Sequence, residues 1–221
     1  MTRIYLIRHA EAEGNLKRVF QGHIDADISE NGEKQLEKLA KRFAPLHLDA
    51  LYASPLKRAY KTAQAVDSVE HLPIITMEGL MEINGGCWEG QPFCKLPELY
   101  PHDNETWVNR PWDFAPREGE PMRQVYARMW ETITGIARKH PGKTVGITSH
   151  GCAIRNYLCH AHSWPIERLN DVSWCDNTAV SIIEYRNDGQ IAVTMENDVS
   201  HLDGELSTFA KQDWWRKGTR A

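Results

Sequence analysis

A short apolar run, Ile4-Tyr5-Leu6-Ile7, ends abruptly in Arg8-His9, and no other stretch narrows the choice of folds as much. The run is too short for a buried helix and rich in β-branched and aromatic residues, so it reads as an interior strand. In an open α/β sheet, ligands bind in the crevice beyond the strand C-termini. An always-charged guanidinium beside an imidazole at that address suits an anionic substrate; an ordinary solvated surface pair is the plainer alternative. Residues 144–149, Thr-Val-Gly-Ile-Thr-Ser, read as a second strand that also ends in a histidine, His150-Gly151.

Between these strands the pattern alternates. A loop over 14–27 carries a turn signal at Gln21-Gly22. Ser29 caps a predicted helix over 30–44, with Leu36, Leu39, Ala40 and Phe43 on one face. A strand over 49–53 follows, then Ser54-Pro55 as cap and first helical position of a helix over 56–68. Its first turn holds Lys57 and Arg58, where positive charge opposes the helix dipole. Arg58 is therefore read as a second ligand to an anion. A strand over 74–77 leads to Glu82, set between Met81 and Ile83. A carboxyl held against apolar walls stays protonated more readily and can serve as a general acid. Residues 87–120, with Trp88, Phe93, Trp107, Trp112 and Phe114, read as an inserted cap whose aromatics pack mainly against the body. A long helix to about His140 carries the stripe Val125, Met129, Ile133, Ile136 and Ala137. A helix after His150 and a hairpin of strands 174–185 and 190–197 around Asn187-Asp188-Gly189 close the pattern. The expected fold is α/β: a three-layer sandwich with a mostly parallel sheet, helices on both faces and a cap over the strand C-termini. One domain spans 1–221. Trp214-Trp215 in the polar tail receives no functional reading.

Composition excludes several classes. A net charge of −4 without a basic run gives nucleic acid no help, so any anion site must be local. No apolar stretch approaches a membrane span, and residues 1–8 do not resemble a secretory signal. Five cysteines without a dense framework fit reduced thiols in a cytoplasm. Cys159-His160-Ala161-His162 lacks the second ligand pair of a structural zinc site, so no metal is expected. Oligomeric state is open, a homodimer included.

Separate strand-to-helix junctions thus deliver Arg8-His9, Arg58, Glu82 and His150-Gly151: two arginines able to grip phosphate by forked hydrogen bonds, two histidines and one carboxyl. With these residues, the motifs Leu6-Ile7-Arg8-His9-Ala10-Glu11, Ser54-Pro55-Leu56-Lys57-Arg58, Met81-Glu82 followed by Trp88-Glu89-Gly90, and Ser149-His150-Gly151 resemble the histidine phosphatase (phosphoglycerate mutase-like) superfamily along nearly the whole chain. The late segment Asn197-Asp198-Val199-Ser200-His201 fits its phosphatase members. That resemblance implies His9 as the phosphoryl-accepting nucleophile and Arg8, Arg58 and His150 around the phosphate. It further implies substrate-binding roles for Asn15, Gln21, Gly22 and the Gly151 amide, Glu82 as general acid/base, and no cofactor. Two departures stand out: Ala10 replaces the usual glycine, and Asp25-Ala26-Asp27-Ile28 replaces a small residue and proline before leucine. The segment around Glu82 lacks the arginine and tyrosine of the glycolytic mutases. Hydrolysis of small phosphorylated metabolites is therefore expected ahead of mutase activity, and both ahead of a non-catalytic phosphate-binding role.

Overall fold

The computed structural model describes residues 1–212; Trp214 and Trp215 lie outside them. The elements in chain order are β1 (Thr2–Arg8), α1 (Glu13–Lys17), α2 (Glu30–Phe43), β2 (Ala50–Ala53), α3 (Lys57–Val66), β3 (Ile74–Thr76), α4 (Leu96–Leu99) and α5 (Pro101–Asn109). There follow α6 (Met122–Lys139), β4 (Thr144–Ser149), α7 (Gly151–Ala161), β5 (Val180–Tyr185), β6 (Ile191–Asp198) and α8 (Thr208–Lys211). No helix among the described residues is long and apolar enough to cross a membrane.

The strands form one six-stranded sheet in the order β3-β2-β4-β1-β5-β6. β3, β2, β4 and β1 run parallel, and β5 and β6 add an antiparallel edge. Alternation along β1 explains the layering. Ile4 and Leu6 join one buried cluster with Val125, Met129 and Ile133 of α6 and Ile154 and Leu158 of α7. Tyr5 and Ile7 join the opposite cluster with Leu39 and Phe43 of α2 and Ala63 and Val66 of α3. Helices therefore cover both faces, as two-sided apolar strands require.

Register then positions the histidines. Arg8 pairs with Ser149 across β1 and β4, so the next residues, His9 and His150, leave the sheet side by side. β2 sits on the other side of β4 and brings Ser54 to the same edge, its amide donating to the Thr148 carbonyl at 3.0 Å.

Several expectations shift. The loop after β1 contains the single-turn helix α1, and Asn15 accepts a hydrogen bond from the Ala12 amide at 3.0 Å. Ser54 does not cap α3, which begins at Lys57 with no side-chain cap of its own. The Ser54 hydroxyl faces His150 instead, and Asp25 fills the capping role by accepting from the Lys57 amide at 2.7 Å. The unusual acidic segment has a purpose there, because Asp27 also pairs with Lys61 at 2.6 Å. The expected long strand 174–185 forms only from Val180. The Asp176 carboxylate takes the Asn177 amide at 2.7 Å and Thr178 adopts a left-handed φ of 58°, which breaks the ladder. The zinc-like residues are engaged separately. His160 stacks on Trp130 at 3.8 Å, while His162 pairs with Glu196 at 2.7 Å.

Candidate active site

β1 carries Arg8 and His9 into a cleft of about 570 Å³, including its open mouth, at the C-terminal edge of the parallel strands. Arg58, Glu82, Asn15, Gln21, Gly22 and Gly151 line the same cleft. Four sequence-distant segments named from the chain alone thus meet in one place.

His9 is buried, and its Nδ1 lies 2.7 Å from the Ala10 carbonyl oxygen. A carbonyl only accepts, so Nδ1 carries the proton and Nε2 keeps its lone pair. Burial holds the imidazole well below its ordinary pKa, and the Arg58 and Arg8 charges push it the same way. The backbone behind it is pinned: the His9 carbonyl accepts from Asn177 Nδ2 at 2.9 Å and from the Thr178 amide at 3.3 Å. Ala10 costs the site nothing. Its φ is not positive, its amide donates to Thr62 Oγ1 at 3.0 Å, and its methyl packs with Ile28 and Leu36.

His150 stands one layer deeper than expected. It is fully buried and does not line the cleft, although its ring centroid is 5.1 Å from that of His9. Its Nε2 bonds to Ser54 Oγ at 2.7 Å, while Nδ1 has no partner among the described residues. Burial first, then the Arg58 charge, holds it well below the ordinary imidazole pKa.

The two guanidiniums are anchored by backbone carbonyls. Arg8 Nη1 donates to Cys175. Arg58 donates to Gly22 and Ile24, each at 2.7 Å, and desolvation pushes its pKa down to about 10, which leaves it charged at neutral pH. In both arginines Nε is buried and has no partner among the described residues. Gly22 acts here through its carbonyl. At its φ of 50°, a Cβ would lie 2.1 Å from the Glu89 carboxylate, so glycine is required.

The Glu82 carboxylate is half-buried, but apolar walls are not its main setting. Oε1 accepts the Ile83 and Ala153 amides at 3.0 Å each, and Oε2 accepts the Cys152 amide at 3.1 Å. The N-terminus of α7 therefore holds the carboxylate in place. A second device fixes the backbone. Arg128 of α6 donates to the carbonyls of Gly79 (3.1 Å), Met81 (2.8 Å) and Glu82 (3.1 Å), and its guanidinium is gripped by Glu120 at 2.6 and 2.8 Å. Sequence reasoning missed this strut, because nothing local links Arg128 to a loop more than forty residues earlier. It also missed the Trp174–Thr178 loop, which supplies the Cys175 carbonyl and the His9 clamp. Cys152 lines the cleft, but burial raises its thiol pKa well above the ordinary range, which disfavours it as a nucleophile.

The arrangement offers a neutral imidazole with a free ring nitrogen, two fixed guanidiniums and a held carboxyl. That set suits transfer of a phosphoryl group to nitrogen and then to water. The comparisons agree. Residues 4–198 match the family model of the histidine phosphatase superfamily, branch 1. Phosphoserine phosphatase 1 of Hydrogenobacter thermophilus is 32% identical over 202 residues, covering 91% of this chain and 95% of that protein. Bacillus stearothermophilus YhfR superposes with a TM-score of 0.87 at 32% identity, covering 92% of this chain and 100% of the other. A phosphoserine phosphatase from Entamoeba histolytica, solved with phosphoserine, gives a TM-score of 0.80 at 27% identity, covering 92% and 100%. With its family motifs gathered at one sheet edge and these relatives matching along nearly its full length, the chain belongs to branch 1 of the histidine phosphatase superfamily, and it is a phosphatase of that family.

Proposed function

We propose that this phosphatase hydrolyses phosphate monoesters of small metabolites through a phosphohistidine on His9, with Glu82 as general acid and then general base. His9 Nε2 attacks phosphorus, the ester P–O bond breaks, and Glu82 gives its proton to the departing alkoxide. Water then attacks phosphorus, Glu82 takes the water's proton, the P–N bond breaks to release His9 Nε2, and inorganic phosphate leaves. Arg8 and Arg58 stabilise the phosphoryl oxygens during both transfers, and His150 supports them from behind. Asn15, Gln21 and the Gly151 amide supply neutral contacts at the rim, and Gly22 holds Arg58.

One observation carries this reading. Arg8 Nε and Arg58 Nε are buried nitrogens without partners among the described residues, on guanidiniums that line the same cleft as a histidine held in its nucleophilic tautomer. Buried unsatisfied donors are rare, and an oxyanion is the group that satisfies them together. The five cysteines are all unpaired thiols, which supports a reducing, cytoplasmic setting.

The test is rapid acid-free quenching during turnover of a radiolabelled monoester. Label on His9, lost in His9→Ala along with turnover while the fold persists, is the expected result. Turnover retained by His9→Ala would remove this histidine from the mechanism.

A further inference from the structure

We propose that the leaving group this phosphatase selects is an uncharged alcohol bearing an apolar ring, in contrast to the amino-acid ester named for the phosphoserine phosphatases among its relatives. The proposal rests on the phosphatase reading of His9 and Glu82 and adds the identity of the group beyond the scissile oxygen.

Besides its polar residues the cleft is lined by Phe20, Phe93, Trp107, Trp174, Val19 and Ile83. These rings form a continuous wall. Phe20 meets Trp107 edge to face at 5.5 Å and Phe93 at 5.8 Å, and Trp107 lies 6.1 Å from Trp174. The wall is held from behind. Fully buried Trp88 touches both Phe20 and Trp107, and Phe114 meets Trp107 at 4.8 Å. Trp174 is braced by the Arg155 guanidinium stacked 4.6 Å from its ring. Arg155 is itself fastened to the Val172 carbonyl at 2.8 Å and to Asn170 at 3.1 Å. Aromatic side chains fixed before binding favour a flat apolar group, because stacking needs no reordering of the site.

The charges point the same way. Among the described residues that line the cleft, Arg8 and Arg58 are the sole guanidiniums and no lysine contributes. Both arginines are committed to the phosphate end. A leaving group with its own carboxylate would set a second anion against aromatic rings and near the Glu82 carboxylate, with no further lysine or arginine among the described lining residues to pair it.

The test compares 2-phenylethyl phosphate with O-phosphoserine. Both are primary alkyl monoesters, so the ratio of their kcat/KM values reports recognition rather than intrinsic leaving-group reactivity. The ring ester is expected to be preferred by about tenfold or more, the scale of a well-formed aromatic contact plus its buried area. Trp174→Leu and Trp107→Leu should each pull that ratio toward one. A wild-type ratio at or below one overturns the proposal and leaves the phosphatase reading standing. A ratio unmoved in both variants overturns it as well. Turnover of neither ester nor of p-nitrophenyl phosphate sinks the phosphatase reading and the substrate class together. Should the variants fail to fold, the wild-type ratio alone decides.

Discussion

Mild acid should cost this protein stability through the same two rings that its chemistry needs neutral. His9 and His150 are buried side by side, with desolvation and the nearby arginines holding both well below the ordinary imidazole pKa of 6.5. In the unfolded chain both take up a proton as pH falls through that value; in the fold their lowered pKa holds that uptake back to lower pH. The unfolded state then binds more protons, so stability is complete above about pH 6.5 and declines below it. Each ring that stays neutral in the fold forfeits about 1.3 kcal/mol between pH 7 and pH 5.5, or about 2.5 kcal/mol for the pair. Urea unfolding at the two pH values measures this loss in the wild type and in His9→Gln/His150→Gln. Other titrating groups, including His201 with its pKa pushed down to about 4 by burial, contribute to both proteins and cancel in the comparison. The double variant should lose about 2.5 kcal/mol less than the wild type over this interval. Equal losses would refute the assignment of neutral, buried imidazoles.

Three further outcomes are expected. Glu82→Gln should slow esters of poor leaving groups by roughly 10²–10⁴-fold and aryl esters far less, read from kcat across a leaving-group series; a uniform loss argues against proton donation. The same change turns an NH₂ toward amides of Ile83, Ala153 or Cys152, so a stability loss of about 1–3 kcal/mol should accompany it in denaturant unfolding. Arg128→Met leaves the Glu120 carboxylate, only 11% exposed, without its partner; a loss of about 3 kcal/mol is expected, together with a leaving-group dependence shifted toward that of Glu82→Gln, and an unaltered dependence would reduce the strut to a stability device. Gly151→Ala brings a Cβ to 3.3 Å from Arg8 Nε, so inhibition by inorganic phosphate should weaken by about tenfold while the melting temperature holds, since alanine suits the first turn of α7; an unchanged inhibition constant contradicts the crowding of Arg8.

How much of this could be read from the chain follows from where the information lies. His9 was legible because it ends a short apolar run that reports its own strand locally, Arg58 because a cation in the first turn of a helix opposes the dipole, and Glu82 because a carboxyl stands between Met81 and Ile83 just before a turn. The sheet edge that gathers them is a consequence of parallel topology rather than of any single motif. What escaped is non-local or competitive. Ser54 has the composition of a helix cap, but a buried imidazole 2.7 Å away claims its hydroxyl and Asp25 takes the vacated role. Trp174-Cys175-Asp176 has the apolar texture of a strand start, yet the Asp176 carboxylate accepts the Asn177 amide and turns the segment into the clamp behind His9. The depth of His150 follows from register and packing, which no spacing in the sequence encodes.

The central position of β1 also orders events at the ribosome. His9 is made well before residues 144–149 and 180–185, with which its strand pairs. The buried carboxylate of neighbouring Glu11 finds the Thr208 hydroxyl at 2.8 Å only after the 197 residues that separate them along the chain have been made. Such remote pairings slow folding, and here they also mean that a truncated nascent chain carries a histidine without a working centre. Activity should switch on only after β5, β6 and α8 have been made and have slotted in beside a histidine synthesised well before them.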